Sequence, residues 1–298
     1  MLPRLRPVVV EHGVTFHYGV PVMILVLKLA LAPLLVVGSS LAGRRWGDRV
    51  TGTLVAFPIV AGPILLITCL EQGVHFGARA AAASLLGLVS LAVFAVIFAY
   101  ASSRRTWPLA LVISWSASIL ADVVLALRPV GVLGALLLVL AVIAIAHRLV
   151  ATMNRGIAGL GKPAPPWWDL PGRALATAVL VLFVTGIAAT AGPVVTGILA
   201  PFPIATSVVA AFVLAQQGSP AVIRTLAGAV QGLLGFAVFC FLVAVLVVPI
   251  GIPAAFGTAL VGALLTQLAW RLTTGRRSRS AAGRAHRGAP AGSHPAGR

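Results

Sequence analysis

The chain is poor in charge and poorer still in acid. Nine per cent of its 298 residues are charged, and only five are Asp or Glu. A soluble domain carries about 25% charged residues, so a water-soluble globular fold is excluded. Cysteine is nearly absent. Cys69 and Cys240 lie in apolar runs, form no C-x-x-C pair and offer no disulfide framework. The six histidines, His12, His17, His75, His147, His286 and His294, make neither an H-x-x-x-H nor an E-x-x-H pair, so no metal site is expected. G-x-S-x-G, P-loop and dinucleotide motifs are missing. Too few polar residues converge at one depth for embedded catalysis, so neither enzyme activity nor a cofactor is expected. The first long apolar run has full span length and reads as a helix rather than a cleaved leader.

What abounds is apolar. Sixty per cent of the residues are hydrophobic, with 31 Gly and 20 Pro, and the mean hydropathy is +1.07. Glycine and proline are better tolerated in membrane helices than in soluble ones. The fold class is all-α, a polytopic membrane protein. Runs near the roughly 20 residues a span requires predict nine transmembrane helices: 19–42, 50–70, 79–101, 107–127, 130–147, 174–191, 194–216, 222–248 and 251–271. The sixth and seventh are separated by a tight turn at Ala191-Gly192-Pro193.

The chain also repeats itself at an offset of 145 residues. Phe57-Pro58-Ile59 returns as Phe202-Pro203-Ile204, Gln72-Gly73 as Gln217-Gly218, Arg79 as Arg224 and Gly87-Leu88 as Gly232-Leu233. About a third of the positions between 47–94 and 192–239 are identical without a gap, against roughly one in ten from shared apolar composition. Spans 1–4 align with 6–9, and span 5 has no counterpart. Four spans plus one linking span place the second copy upside down. The expected organisation is a first four-helix repeat with the N-terminal segment (1–128), a linking transmembrane helix (129–150), a cytoplasmic linker (151–171), a second four-helix repeat (172–272) and a disordered basic tail (273–298). Inverted repeats are a recurring design of secondary transporters, with the site at the repeat interface; duplication also builds larger structural bundles.

Net charge +17 is placed by topology. One side of a nine-span chain receives Arg44, Arg45, Arg49, Arg104, Arg105, Arg148, Arg155, Lys162, Arg173, Arg224, Arg271 and six tail arginines. The other receives Arg4, Arg6, Arg79 and Arg128. The positive-inside rule puts the N-terminus outside and the C-terminus in the cytoplasm of a bacterial plasma membrane. The tail reads as a topology signal and a contact for anionic lipid headgroups. Nucleic acid is not an expected partner, because no aromatic residue interleaves the basic ones. Trp167 and Trp168 are expected at the lipid interface.

Charged groups inside spans are costly and mark function by default. Asp122 in span 4 is the leading candidate, and its repeat mate is Gln267. Lys28 in span 1 sits at a comparable depth and can pair with Asp122, or reach toward headgroups. Glu71 and Gln72 end span 2, and their mates Gln216 and Gln217 end span 7. One copy keeps an ionisable group and the other only its hydrogen-bonding shape, although Glu71 also suits a helix end facing water. Pro58 and Pro203 remove amide donors and break helices at equivalent positions, and Pro63 adds a second break in span 2. Such paired breaks point to a binding site, or to packing kinks. Gly228, Gly232 and Gly235 in span 8, like Gly87 in span 3, suggest close helix packing.

The stretch Thr51-Gly52-Thr53-Leu54-Val55-Ala56-Phe57-Pro58, followed by Gln72-Gly73 and an Ala/Arg-rich entry into the next span, resembles the small GlpM-type bacterial inner-membrane proteins. Thr196-Gly197-Ile198-Leu199-Ala200-Pro201-Phe202-Pro203 matches them more closely, since Pro201 is present. The resemblance covers about 50 residues of each half and implies a fused tandem of a four-span unit. It carries no catalytic residues. The expected function is a transporter or permease-like protein for a small solute or ion, with a proton- or cation-coupled cycle. The alternative is a non-catalytic membrane scaffold or assembly factor for envelope or lipid processing.

Overall fold

A computed structural model describes residues 19–58, 61–127, 130–154, 166–199 and 202–287, with the side chains of 19–25, 27–28, 185, 187–199, 271 and 274–287 outside that description. The elements are α1 (Gly19–Trp46), α2 (Asp48–Val55), α3 (Ala61–Gln72), α4 (Val74–Ser102), α5 (Trp107–Ala126), α6 (Val132–Met153), α7 (Asp169–Leu199), α8 (Ile204–Ile250) and α9 (Ile252–Arg287). No strand occurs among the described residues. Among them, five helices are long and apolar enough to cross a membrane: α4, α5, α6, α8 and Ile252–Trp270 of α9.

The nine expected spans do not map one to one onto these helices. Span 2 is split, because the chain leaves helical geometry at Ala56-Phe57-Pro58 and α3 has only 12 residues. The turn expected at Ala191-Gly192-Pro193 is absent, and α7 runs through it to Leu199. Span 7 is divided between the end of α7 and the start of α8, and α8, two helices meeting at Gly218, also holds span 8. The backbone of α9 stays helical to Arg287, where a disordered tail from 273 was expected; Arg, Ala and Ser there carry little helix penalty. Pro63 breaks nothing. It stands in the first turn of α3, where no intrahelical donor is required.

Two local structures recur at the sequence offset. Pro58 and Pro203 each accept a bond from the first turn of the next helix, from Gly62 N at 2.9 Å and from Ser207 N at 2.8 Å. Gly73 and Gly218 then separate helices with φ of 85° and 79° and ψ of 162° and 179°. That conformation is nearly exclusive to glycine, which explains why both copies hold Gln-Gly there.

The copies interlock. In a lipid environment apolar faces gain little by meeting, so association relies on close packing. Helix α8 provides the axis, packed by α2, α4, α6 and α9. Helix α2 lies against it backbone to backbone. A Cβ at Gly52 or Gly228 would strike the Thr225 or Arg49 carbonyl, and one at Gly232 would lie 2.7 Å from Thr53 O. Thr53 Oγ1 donates to Arg49 O at 2.9 Å and to Gly228 O at 3.1 Å. Phe94, Phe98, Leu85, Leu226 and Leu233 fill the space between α4 and α8.

Candidate functional site

Helix α5 carries a polar stripe on an apolar span. Ser114, Ser118 and Asp122 recur every four residues and therefore share one face, and all three are buried. Ser90 of α4 meets them: its hydroxyl donates to Asp122 Oδ1, and Ser118 Oγ donates to Ser90 O at 3.2 Å. Asp122 has no basic partner among the described residues. The stripe continues to the break in the second copy. Trp115, seven residues and roughly 10 Å before Asp122 on a helix rise, donates from Nε1 to Ser207 Oγ at 2.8 Å. Its ring lies 5.3 Å from that of Phe202, the residue before Pro203.

The same positions in the other copy hold no charge. Ser90, Ser114, Ser118 and Asp122 map to Gly235, Ala259, Ala263 and Gln267. Gln267 Nε2 donates to the carbonyls of Gln231 and Gly232, each at 3.1 Å. It also crowds the space a Cβ on Gly235 would enter, at 2.8 Å. Gln267 ties α9 to α8, and a carboxylate in its place could not donate to those carbonyls.

A second polar cluster stands where the C-terminal end of α1, the N-terminal end of α7 and Gly218 meet. Asp169 accepts from Arg44 Nη2, Arg173 Nε and Gln216 Nε2, each at 2.8 Å. Arg173 also reaches Ser40 Oγ at 3.4 Å and places its guanidinium 5.3 Å from the Phe212 ring. Asp169 and Arg173 are 2% and 3% exposed, and Arg44 37%. Burial alone would push the Asp169 carboxyl up, but the Arg173, Arg44 and Gln216 donors hold it below the ordinary carboxylate value. On the other side of Gly218, Arg224 Nε donates to Asp48 Oδ2 at 2.9 Å.

The expected site residues therefore separate. Asp122 and Pro203 are brought near one another through Trp115. Gln216 belongs to the Asp169 cluster, and Gln217 lies beside it with a buried Oε1 that has no partner among the described residues. Glu71 and Gln72 are exposed at the end of α3 and contribute to neither cluster. Pro58 is buried, and among the described residues its break meets no polar stripe. The side chain of Lys28, and with it the Lys28–Asp122 pair, lies outside the described residues. Ser90, Trp115, Ser207, Asp48 and Asp169 were not expected as site residues. The four-residue spacings Ser114-Ser118-Asp122 and Asp169-Arg173 were the available signals. Trp167 is almost fully exposed and Trp168 about half. No family model matches this chain, and no match is found among curated proteins or solved structures.

Proposed function

We propose that this integral membrane protein is a transporter of a small solute or ion whose cycle is coupled to protonation of Asp122. The observation that carries the reading is a buried carboxylate on a candidate span, held by one serine hydroxyl and no described cation. A lone charge there costs several kcal/mol, and binding a proton or a small cation removes that cost. A membrane residue of this kind is a proton or ion site by default. The neutral Gln267 at the equivalent position leaves the coupling group in one copy only.

An inverted arrangement of the two repeats, with a cytoplasmic C-terminus, is part of the same reading. It is supported by the bond from Ser219 Oγ, just after Gly218, to Ser102 O at the end of α4. Ser102 ends its helix and Ser219 opens the segment equivalent to α4, so the two equivalent helices run in opposite directions. The Phe-Pro breaks then lie at opposed positions, and the Trp115–Phe202 contact connects one of them to Asp122.

The experiment is proton flux into proteoliposomes, followed with a trapped pH dye while candidate solutes are added. Asp122→Asn keeps the acceptor for Ser90 and abolishes solute-linked proton movement. Unchanged flux and pH dependence in that variant overturn the reading. The scaffold reading is favoured by one observation, the backbone-to-backbone seating of α2 on α8 at Gly52, Gly228 and Gly232. It expects Asp122→Asn to be silent and glycine substitutions to abolish function.

A further inference from the structure

Between α4 and α6 lies an apolar groove of about 160 Å³, floored by Ala92 and Ala146 and walled by Val93, Val96, Ile145 and Leu149. It opens on the outer surface of the bundle, where Ile145 and Leu149 are exposed. Tyr100 follows Val96 by one helical turn on the same face of α4, and Arg104 lies in the turn just after the helix ends. Arg104 Nη1 donates to Tyr100 Oη, and its guanidinium lies 4.6 Å from that ring's centroid. Arg105 is its neighbour, and Arg148 on α6 stands beside Leu149. Tyr100 and all three arginines are exposed.

No acidic side chain among the described residues pairs with these arginines. Among the described residues Asp48 is held by Arg224, Asp169 by Arg44 and Arg173, and Asp122 by Ser90. Glu71 ends α3, next to the opposite end of α4. The rim therefore offers three guanidinium groups without an acidic partner among the described residues, and a phenol, beside an apolar trough. That combination fits an amphiphile with an acyl chain and an anionic phosphodiester. A zwitterionic phospholipid would bring the same chain but place an ammonium group among the arginines.

We propose that this face binds one anionic glycerophospholipid of the surrounding membrane, with an acyl chain in the α4–α6 groove and the phosphate on Arg104, Arg105 and Arg148. The proposal stands independently of transport. The site lies on the α6-facing side of α4, whereas Asp122 of α5 meets α4 at Ser90.

Native mass spectrometry of the full-length protein, titrated in detergent with phosphatidylglycerol or phosphatidylcholine, tests it. One phosphatidylglycerol is retained in preference to phosphatidylcholine. The triple variant R104Q/R105Q/R148Q weakens that retention about a hundredfold, each arginine near an anionic surface being worth about a factor of five. R104K/R105K/R148K keeps most of it. Val93→Phe fills the groove without altering charge and weakens phosphatidylglycerol at least tenfold. Leu149→Ala, at an exposed wall position the fold does not need, lowers affinity several-fold and serves if Val93→Phe folds poorly. Equal retention of the two lipids by the wild type overturns the proposal. So does undiminished phosphatidylglycerol in the glutamine variant, or in both groove variants. Displacement of the lipid by millimolar inorganic phosphate also overturns it, by assigning the rim to a free anion.

Discussion

Replacing Asp169 by alanine should be among the most damaging single changes in this chain. The carboxylate is the shared acceptor for Arg173, Arg44 and Gln216. Arg44, partly exposed, can swing into water and loses little. Arg173 is 3% exposed and would be left as a buried cation with Ser40 and the Phe212 ring for company. Removing one partner of a buried pair costs about 3–5 kcal/mol, chiefly through the uncompensated charge. Arg173→Ala should cost less, about 1–3 kcal/mol, because Asp169 keeps Arg44 and Gln216 as donors. The double variant D169A/R173A removes the stranded charge and should cost clearly less than the sum of the single changes. The assay is resistance to denaturation by sodium dodecyl sulfate in mixed micelles, read as the folded fraction by circular dichroism across the four-variant cycle. Additive single effects, or an Arg173→Ala loss equal to that of Asp169→Ala, would refute the reasoning.

The same carboxylate sets a pH dependence. Its folded pKa is depressed below the ordinary 3.8, so its contribution is complete above that value and is lost as pH falls through the folded pKa. Wild type should therefore lose stability below about pH 4, and Asp169→Asn should flatten that limb of the stability–pH curve. Gly232→Leu should abolish folded yield, since even a Cβ there lies 2.7 Å from Thr53 O and 2.9 Å from Ala56 Cβ; monodispersity on size exclusion reads the result. Gly218→Ala should destabilise by about 1–3 kcal/mol through its φ of 79°, with the same denaturation assay as the check. Asp122→Asn should leave stability within about 1 kcal/mol of wild type, because the amide oxygen still accepts from Ser90; a larger loss would make Asp122 a structural residue.

Membrane class and helical content were legible from composition, because scarcity of charge leaves few alternatives. The repeat was legible too, and it located both Phe-Pro breaks and both Gln-Gly junctions. Pairing was not legible. Asp48 and Arg224 lie far apart in sequence, and only the crossing of α2 over α8 brings them together. Asp169 fell within the expected linker 151–171, because local sequence does not reveal a helix start buried by α1 and α8. For Glu71 the sequence left both readings open, because an acid at a span end carries the same local signal whether it faces water or a partner. The serine stripe on α5 was readable at period four, yet Ser90 became its partner only through the packing of α4.

The Asp48–Arg224 bond spans 176 residues of chain, and that interval is also a delay. At about 5–20 residues per second of synthesis, Asp48 emerges roughly 10–35 s before the arginine that neutralises it. Helix α2 cannot settle in that time, because the glycine track it rests on at Gly228 and Gly232 has not been made. Biogenesis must therefore hold this eight-residue helix, with Asp48 in its first turn, unpacked until α8 arrives. A ribosome stall or truncation before Arg224 would leave that helix without its partner, exposed to quality-control proteolysis.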